Sequence, residues 1–357
     1  MDLPSNTQAH LPVPSVQELA REPLDAVPSR YIRDDVDDPV SNPCNPSLQI
    51  PTVDMSRLLD AESQTDELHK LYSICRDWGA FQLVNHGVAD ELVKSMKEKI
   101  GDFFNFPLQE KKRYAQKEGS VEGYGQTFVT SEEQKLEWND MLFIHALPIE
   151  DRNYSFWPER PQGFRETLDS YSGEVKRLAI SLLEFMAKGL GLEVHEFSKH
   201  FNNGQCHVRM NYYPHCSQPQ QVIGMAAHAD ISGITILLEL DETQGLQIRK
   251  DGYWVPVEIL SGAFLIFVGN IGMIMSNGIY RSAEHRAVVN SLKERITIVT
   301  FCYPNTDAIF GPARNLIKPD NPALYKTLSH AEYFNRFFSQ DNFYGETQFI
   351  DTLKIDA

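Results

Sequence analysis

Positive charge is scarce in this 357-residue chain: 33 lysines and arginines stand against 49 aspartates and glutamates, a formal net charge of −16. Such a surface repels phosphate backbones and anionic bilayers unless a concentrated basic patch opposes it. The nearest approach to a patch, "EKKRYAQKE" (110–118), carries a glutamate at each end and reads as a solvated helix face. No nucleic acid and no membrane partner is therefore expected. Cysteine is also scarce. The five (Cys44, Cys75, Cys206, Cys216, Cys302) are odd in number, scattered and without a C-x-x-C, which disfavours a zinc finger or a disulfide framework and suits a reducing compartment. No run of about 18 apolar residues occurs, and "MDLPSNTQAHLPVPSVQELA" at the N-terminus lacks the basic and apolar segments of a secretory signal. The expectation is a cytoplasmic monomer with a core large enough to need no covalent staple.

What is present changes texture along the chain. Residues 1–50 are rich in Pro, Asp and Ser, with "DDVDDP" (34–39) and "SNPCNP" (41–46), and are expected to form an irregular arm over the body. From 51 to 204 helical periodicity dominates. Leu68, Leu71, Tyr72 and Cys75 recur at helical spacing up to Gly79, Leu92, Met96, Ile100, Phe103 and Phe104 form a second stripe, and Leu168, Tyr171, Val175, Leu178, Leu182 and Phe185 a third. "LQIPTVDMS" and "GAFQLVNHGV" read as short strands among these helices. Between 205 and 310 the chain becomes a series of short β-rich runs broken by turns about every ten residues, the pattern of a sandwich or barrel. Asn277-Gly278, between two such runs, is expected to turn a hairpin, since both central residues of a type I′ turn need positive φ. Residues 311–357 are expected to be helical through "HAEYFNRFFSQ". The fold class is α+β, a β-barrel wrapped by helices.

One short motif raises a chemical question. In "GMAAHAD" (224–230), His228 and Asp230 are two apart, which on a strand points both side chains to one face. About 1.5 such His-x-acid pairs are expected by chance from this composition, and the chain has two, the other being His330-Ala331-Glu332. The second lies on a helical pattern where residues two apart diverge, and no histidine follows it. The first has a partner in His285, in "RSAEHRAVV" on a later strand. Two imidazoles and a carboxylate form a facial triad that leaves adjacent positions open, as iron(II) oxygen chemistry requires. If those positions hold a 2-oxo acid, a fixed cation must meet its far carboxylate. Arg295, with Thr297 on the same strand face, supplies a planar fork and a hydroxyl, and Asn211 and Tyr213 in "RMNYY" share a face on an earlier strand. A zinc hydrolase would leave Arg295 without a role, and a ligand-binding barrel without catalysis is the alternative of another class.

These residues, with "IPTVDMSRLL", "WGAFQLVNHGV", "EGYGQTFVTSEEQKLEWNDM", "HADISGITILL", "GLQIRKDGYWVPV", "SNGIYRSAEHRAVVN" and "ERITIVTF", make the chain resemble the plant 2-oxoglutarate- and iron(II)-dependent dioxygenases, in particular the senescence-related and norcoclaurine-synthase-like branch. The resemblance implies a double-stranded β-helix (jelly roll) core flanked by helices. It implies that His228, Asp230 and His285 bind Fe(II), that Arg295 and Thr297, helped by Tyr213 and Asn211, hold 2-oxoglutarate, that O2 is consumed, and that ascorbate serves as reductant. The implied activity is hydroxylation of a small aromatic specialised metabolite or hormone-like compound, with succinate and carbon dioxide as co-products; oxidative O-demethylation of an alkaloid or related methoxy compound is the alternative. Tyr124 and Phe128 in "GYGQTF", and Phe301 and Tyr303, are the candidates to line the substrate pocket. Three departures from the family pattern stand out: Thr297 where Ser is usual, Asn270 where Asp is usual, and His215 in place of a proline. They put co-substrate affinity in question.

Overall fold

The computed structural model describes residues 11–21, 25–33, 48–117, 120–126, 129, 131–338 and 349–355. The strands of its two larger sheets, in chain order, are β1 (Thr52–Asp54), β2 (Ala80–Val84), β3 (Gly123–Gly125), β4 (Asp140–Leu147), β5 (Cys206–Tyr213), β6 (Met225–His228), β7 (Ile234–Glu239), β8 (Leu246–Lys250), β9 (Tyr253–Pro256), β10 (Phe264–Val268), β11 (His285–Ala287) and β12 (Arg295–Cys302). Eight of them form a major sheet in the order β1-β2-β10-β7-β12-β5-β4-β3, and four a minor sheet in the order β6-β11-β8-β9. Apolar residues of both sheets, Leu237, Phe267 and Val299 from one and Leu246 and Ile248 from the other, share one buried cluster between them. The fold is a double-stranded β-helix flanked by helices.

Period-two alternation decides what each strand of the major sheet presents. Val208, Met210 and Tyr212 of β5 and Ile296, Ile298 and Cys302 of β12 belong to the core shared with the helix Phe164–Gly189, which packs on the outer face of the sheet. That helix buries Leu168, Tyr171, Val175 and Leu182 fully, each worth about 1.5–3 kcal/mol. The alternate residues, His207, Arg209, Asn211 and Tyr213 of β5 and Arg295, Thr297 and Phe301 of β12, face the interior and line its cavities. The site is therefore a consequence of strand geometry. The helix Gln64–Asp77 ends where expected: Gly79 has φ +67, and a Cβ there would lie 2.3 Å from the Arg281 carbonyl oxygen.

Several local expectations change. The front half also contributes four strands to the sheet, and β4, "DMLFIHAL", escapes a periodicity search because it is buried on both faces. Asn277 and Gly278 do have positive φ, but they end the helix Asn270–Met275 instead of turning a hairpin. Gly278 N–H reaches Met273 O at 2.9 Å and Asn277 N–H reaches Ile274 O at 3.0 Å, the paired bonds of a Schellman motif. Within "EKKRYAQKE", Lys112 and Arg113 are solvated as expected, but Lys111 is fully buried, its Nζ donating to Gln17 Oε1 and, at 2.9 Å, to Phe104 O. The described part of the arm lies on the body: Val16 and Gln17 N–H donate to the buried Asp140 carboxylate at 2.9 and 3.0 Å, and Tyr31 packs edge-on against Trp138. "DDVDDP", "SNPCNP" with Cys44, and Phe128 lie outside the described residues. Among the described residues no helix is long and apolar enough to cross a membrane.

Candidate metal centre and the cavities beside it

His228 closes β6, His285 opens β11, and the antiparallel register sets them directly opposite one another. Asp230 lies two residues beyond β6, already off the strand that sequence reading put it on. What fixes it there is its backbone carbonyl, which accepts the Asn270 N–H at 2.7 Å. Ligand atoms of the three residues all lie within 4.8 Å of one another, a His-Asp-His site. Asp230 Oδ1 is 3.6 Å from His228 Nε2 and 3.9 Å from His285 Nε2.

Three observations test whether the group suits a metal. His228 Nδ1 contacts the Ala226 carbonyl at 2.8 Å and His285 Nδ1 the Ala283 carbonyl at 3.0 Å. A carbonyl only accepts, so each Nδ1 carries the proton and each Nε2 presents its lone pair to the centre. Burial, then the neighbouring His228, pushes the His285 imidazole down to about 4, against the pull of Asp230, so that ring is neutral at physiological pH. Asp230 Oδ2 is buried without a hydrogen-bond partner among the described residues, a cost that a cation removes. The donor set fits Fe(II).

A small inner cavity of about 50 Å³ lies between the sheets and is lined by the triad residues together with Arg295, Thr297, Asn211 and Tyr213. The co-substrate candidates named from sequence are thus brought together. Asn211 Nδ2 donates to Thr297 Oγ1 at 3.1 Å, Arg209 Nε donates to Asn211 Oδ1 at 2.6 Å, and the Arg295 guanidinium carbon sits 5.3 Å from the Tyr213 ring centroid. Burial raises the Tyr213 phenol, so it remains a neutral hydroxyl. Sequence reading missed one neighbour. Glu239 on β7 accepts from Arg295 Nε at 2.9 Å and also from Nη2, both bonds ending on Oε1, with both side chains buried.

Beside this cavity is a second chamber of about 190 Å³ that reaches His228 and Asp230. Phe301 and Tyr303 line it. Tyr124 lines neither cavity, because Asp140 draws its hydroxyl into a hydrogen bond at 3.2 Å within the main core. Sequence reading missed Met141 and Phe143 of β4 and Phe334 and Phe338 of the C-terminal helix, which complete the apolar wall. It also missed His207 and Arg209, although extending the alternation of "RMNYY" backwards would have placed both on the face of Asn211. His207 Nε2 and both nitrogens of His145, opposite it on β4, are buried without hydrogen-bond partners among the described residues. Burial pushes His145 down to about 4 and His207 well below its ordinary value, so both are neutral.

The three departures fall in different places. Thr297 is buried in the inner cavity with its hydroxyl engaged, Asn270 sits behind Asp230 and away from Arg295's partners, and His215 is exposed. His330, in the other His-x-acid pair, begins the helix His330–Phe337 and is buried against Phe334 and Tyr303.

Residues 204–304 match the 2OG-Fe(II) oxygenase superfamily, and residues 50–160 match the non-haem dioxygenase in morphine synthesis N-terminal family. The chain is 45% identical over 345 residues to oxoglutarate-dependent flavonoid 7-O-demethylase 1 of Ocimum basilicum, covering 97% of this chain and 92% of that one. It is 44% identical to S-norcoclaurine synthase 1 of Coptis japonica, covering 91% and 92% of the two chains, and 44% identical to codeine O-demethylase of Papaver somniferum, covering 88% and 89%. The crystal structure of JOX2 in complex with 2OG, Fe and JA superposes with a TM-score of 0.86 at 32% identity, covering 97% of this chain and 99% of that one.

Proposed function

The chain belongs to the 2OG-Fe(II) oxygenase superfamily, and from that premise we propose that it hydroxylates a C–H bond of a small aromatic metabolite, with His228, Asp230 and His285 holding iron. Iron(II) with 2-oxoglutarate and O2 supplies the oxidation, with succinate and carbon dioxide as co-products. The observation that carries the substrate class is the second chamber. Phe143, Phe301, Tyr303, Phe334 and Phe338 present flat apolar faces beside His228 and Asp230, a surface suited to a planar ring and poorly suited to a sugar or peptide. On this largely apolar wall His207 and Arg209 supply polar groups, placed to orient a hydroxyl or carbonyl oxygen of the substrate. In the inner cavity Arg295 and Thr297 hold the far carboxylate of 2-oxoglutarate, and Asn211, braced by Arg209, keeps the Thr297 hydroxyl oriented. The aromatic wall excludes water from the reacting carbon.

Oxidative O-demethylation is a second reading, favoured by the flavonoid and codeine demethylases among the relatives. The chemistry differs only in the carbon attacked: a hydroxylated methoxy carbon breaks down to an alcohol and formaldehyde. The test is incubation of the protein with iron(II), 2-oxoglutarate and ascorbate in air, against matched flavones that differ by one methyl ether. Products gaining one oxygen support hydroxylation, and loss of CH2 with formaldehyde supports demethylation. If no aromatic compound raises succinate release or yields a product, the aromatic substrate class is withdrawn.

A further inference from the structure

Arg295 faces two ways. Its side chain lines the inner cavity with the metal triad, while Glu239 reaches its guanidinium from a separate, larger cavity of about 570 Å³ that also contains Lys97 and Asp241. Both bonds to Glu239 use the Nε edge of the fork, which leaves the end formed by the two Nη atoms as the edge a second carboxylate can meet. The cation has no room to turn away. A Cβ on Gly245 would lie 2.9 Å from Arg295 Cδ, so that glycine's backbone walls in the stem, and the Tyr213 ring lies 5.3 Å from the guanidinium carbon.

We infer that Glu239 is a resident countercharge to Arg295 that lowers the affinity of the inner cavity for 2-oxoglutarate. The inference rests on the reading of Arg295 as the anchor of that acid's far carboxylate. One fixed cation then serves two carboxylates a few ångströms apart in a buried site, where like charges repel far more strongly than in water. Burial raises the Glu239 carboxyl, while Arg295 and Lys97 pull it back, and it is the bonds from the Arg295 fork that mark Glu239 as that cation's partner. Neither Thr297, whose hydroxyl accepts from Asn211, nor Asn270, whose backbone N–H is bonded to the Asp230 carbonyl, is hydrogen-bonded to Arg295 as Glu239 is. The affinity question raised by the sequence therefore resolves on a residue outside the motif.

The substitution Glu239→Gln keeps the shape and the hydrogen-bond acceptor but removes the charge. In the iron(II)-loaded protein under anaerobic conditions, titration of the visible charge-transfer band should give a 2-oxoglutarate dissociation constant about tenfold below wild type. With 2-oxobutyrate, which chelates through the same 2-oxo acid but lacks the far carboxylate, the constant should not change. 2-Oxoglutarate should also raise the melting temperature of the variant more than that of wild type. If Glu239→Gln does not fold, Glu239→Asp, which withdraws the carboxylate by one methylene, should tighten binding by a smaller factor. An unchanged or weaker 2-oxoglutarate constant in the folded variant overturns the countercharge. Wild type that binds 2-oxoglutarate and Arg295→Gln that binds it equally well instead overturns the anchor reading itself.

Discussion

The rings of His228 and His285 meet as directly opposed residues of neighbouring strands, their centroids 4.3 Å apart, with Phe267 stacked on His285 at the same distance. The pair is set by β-sheet register, and Asp230 is then added by a backbone bond from Asn270. Removing any one ligand leaves the other two in place. Asp230→Ala should keep the fold and lose iron(II) affinity by a factor of about 100 or more. Equilibrium dialysis of iron with circular dichroism on the same sample checks this, and a folded Asp230→Ala protein with wild-type iron affinity would refute the triad.

Arg295 cannot be deleted cleanly. Arg295→Ala strands Glu239 as a buried, unpaired carboxylate, which should cost about 3–5 kcal/mol of stability on top of any loss of co-substrate. The double variant Arg295→Gln with Glu239→Gln removes both charges and should recover most of that loss while still failing to bind 2-oxoglutarate. Urea unfolding of the two singles and the double measures the coupling. If the Arg295 single variant is as stable as wild type, the ion pair contributes nothing and the inner cavity is wetter than its burial suggests.

His330 belongs to the His-x-acid pair that the helical pattern sets apart from a metal site, and the structure gives it a part in packing. Its ring is buried, 4.5 Å from that of Phe334 and 6.0 Å from that of Tyr303, and burial pushes it down to about 4. His330→Ala should therefore cost about 1–3 kcal/mol through the cavity it leaves, with iron affinity unchanged. A thermal melt and an iron titration on one preparation separate the two effects. A variant that lost iron would mean that the helical pair is not a decoy.

The case of His330 shows where sequence pattern stops. Its helix was legible because His330, Tyr333, Phe334 and Phe337 recur at three- and four-residue steps, yet nothing local says that this helix brings Phe334 and Phe338 to the wall of the second chamber. Two residues of the triad were legible for the opposite reason, since His228 and Asp230 stand two apart in sequence, whereas the register that sets His285 opposite His228 belongs to the sheet. Glu239 was hidden because an acidic residue ending a strand ordinarily reads as a solvated edge. Only the sheet order, which sets β7 beside β12, reveals that it meets Arg295. Strand β4 was hidden because burial on both faces erases alternation.

Lys111 gives a pH-dependent prediction. Burial depresses its ammonium from the ordinary 10.5 to about 8, so the unfolded chain binds more protons than the folded one between those values. Stability contributed at this site should thus be lowest below about pH 8 and rise as the pH climbs towards 10.5. Lys111→Met, which cannot titrate, should lack that rise. Denaturation of both proteins from pH 7 to 10 checks it, and parallel profiles would show that the buried amine does not titrate as its surroundings imply.

His207 tests what the second chamber recognises. Its neutral ring has no hydrogen-bond partner at Nε2 among the described residues, so its burial costs the free protein something that a bound hydroxyl can return. His207→Phe keeps a flat ring on the wall and removes the polar atom. The variant should be at least as stable as wild type, and its kcat/KM should fall for a hydroxylated flavone by about tenfold more than for the matched methyl ether. The comparison within one pair of substrates separates recognition from general damage to the chamber, because both members must fit the same aromatic wall. Equal losses on the two substrates would assign His207 to packing alone and leave Arg209 as the group that orients the bound ring.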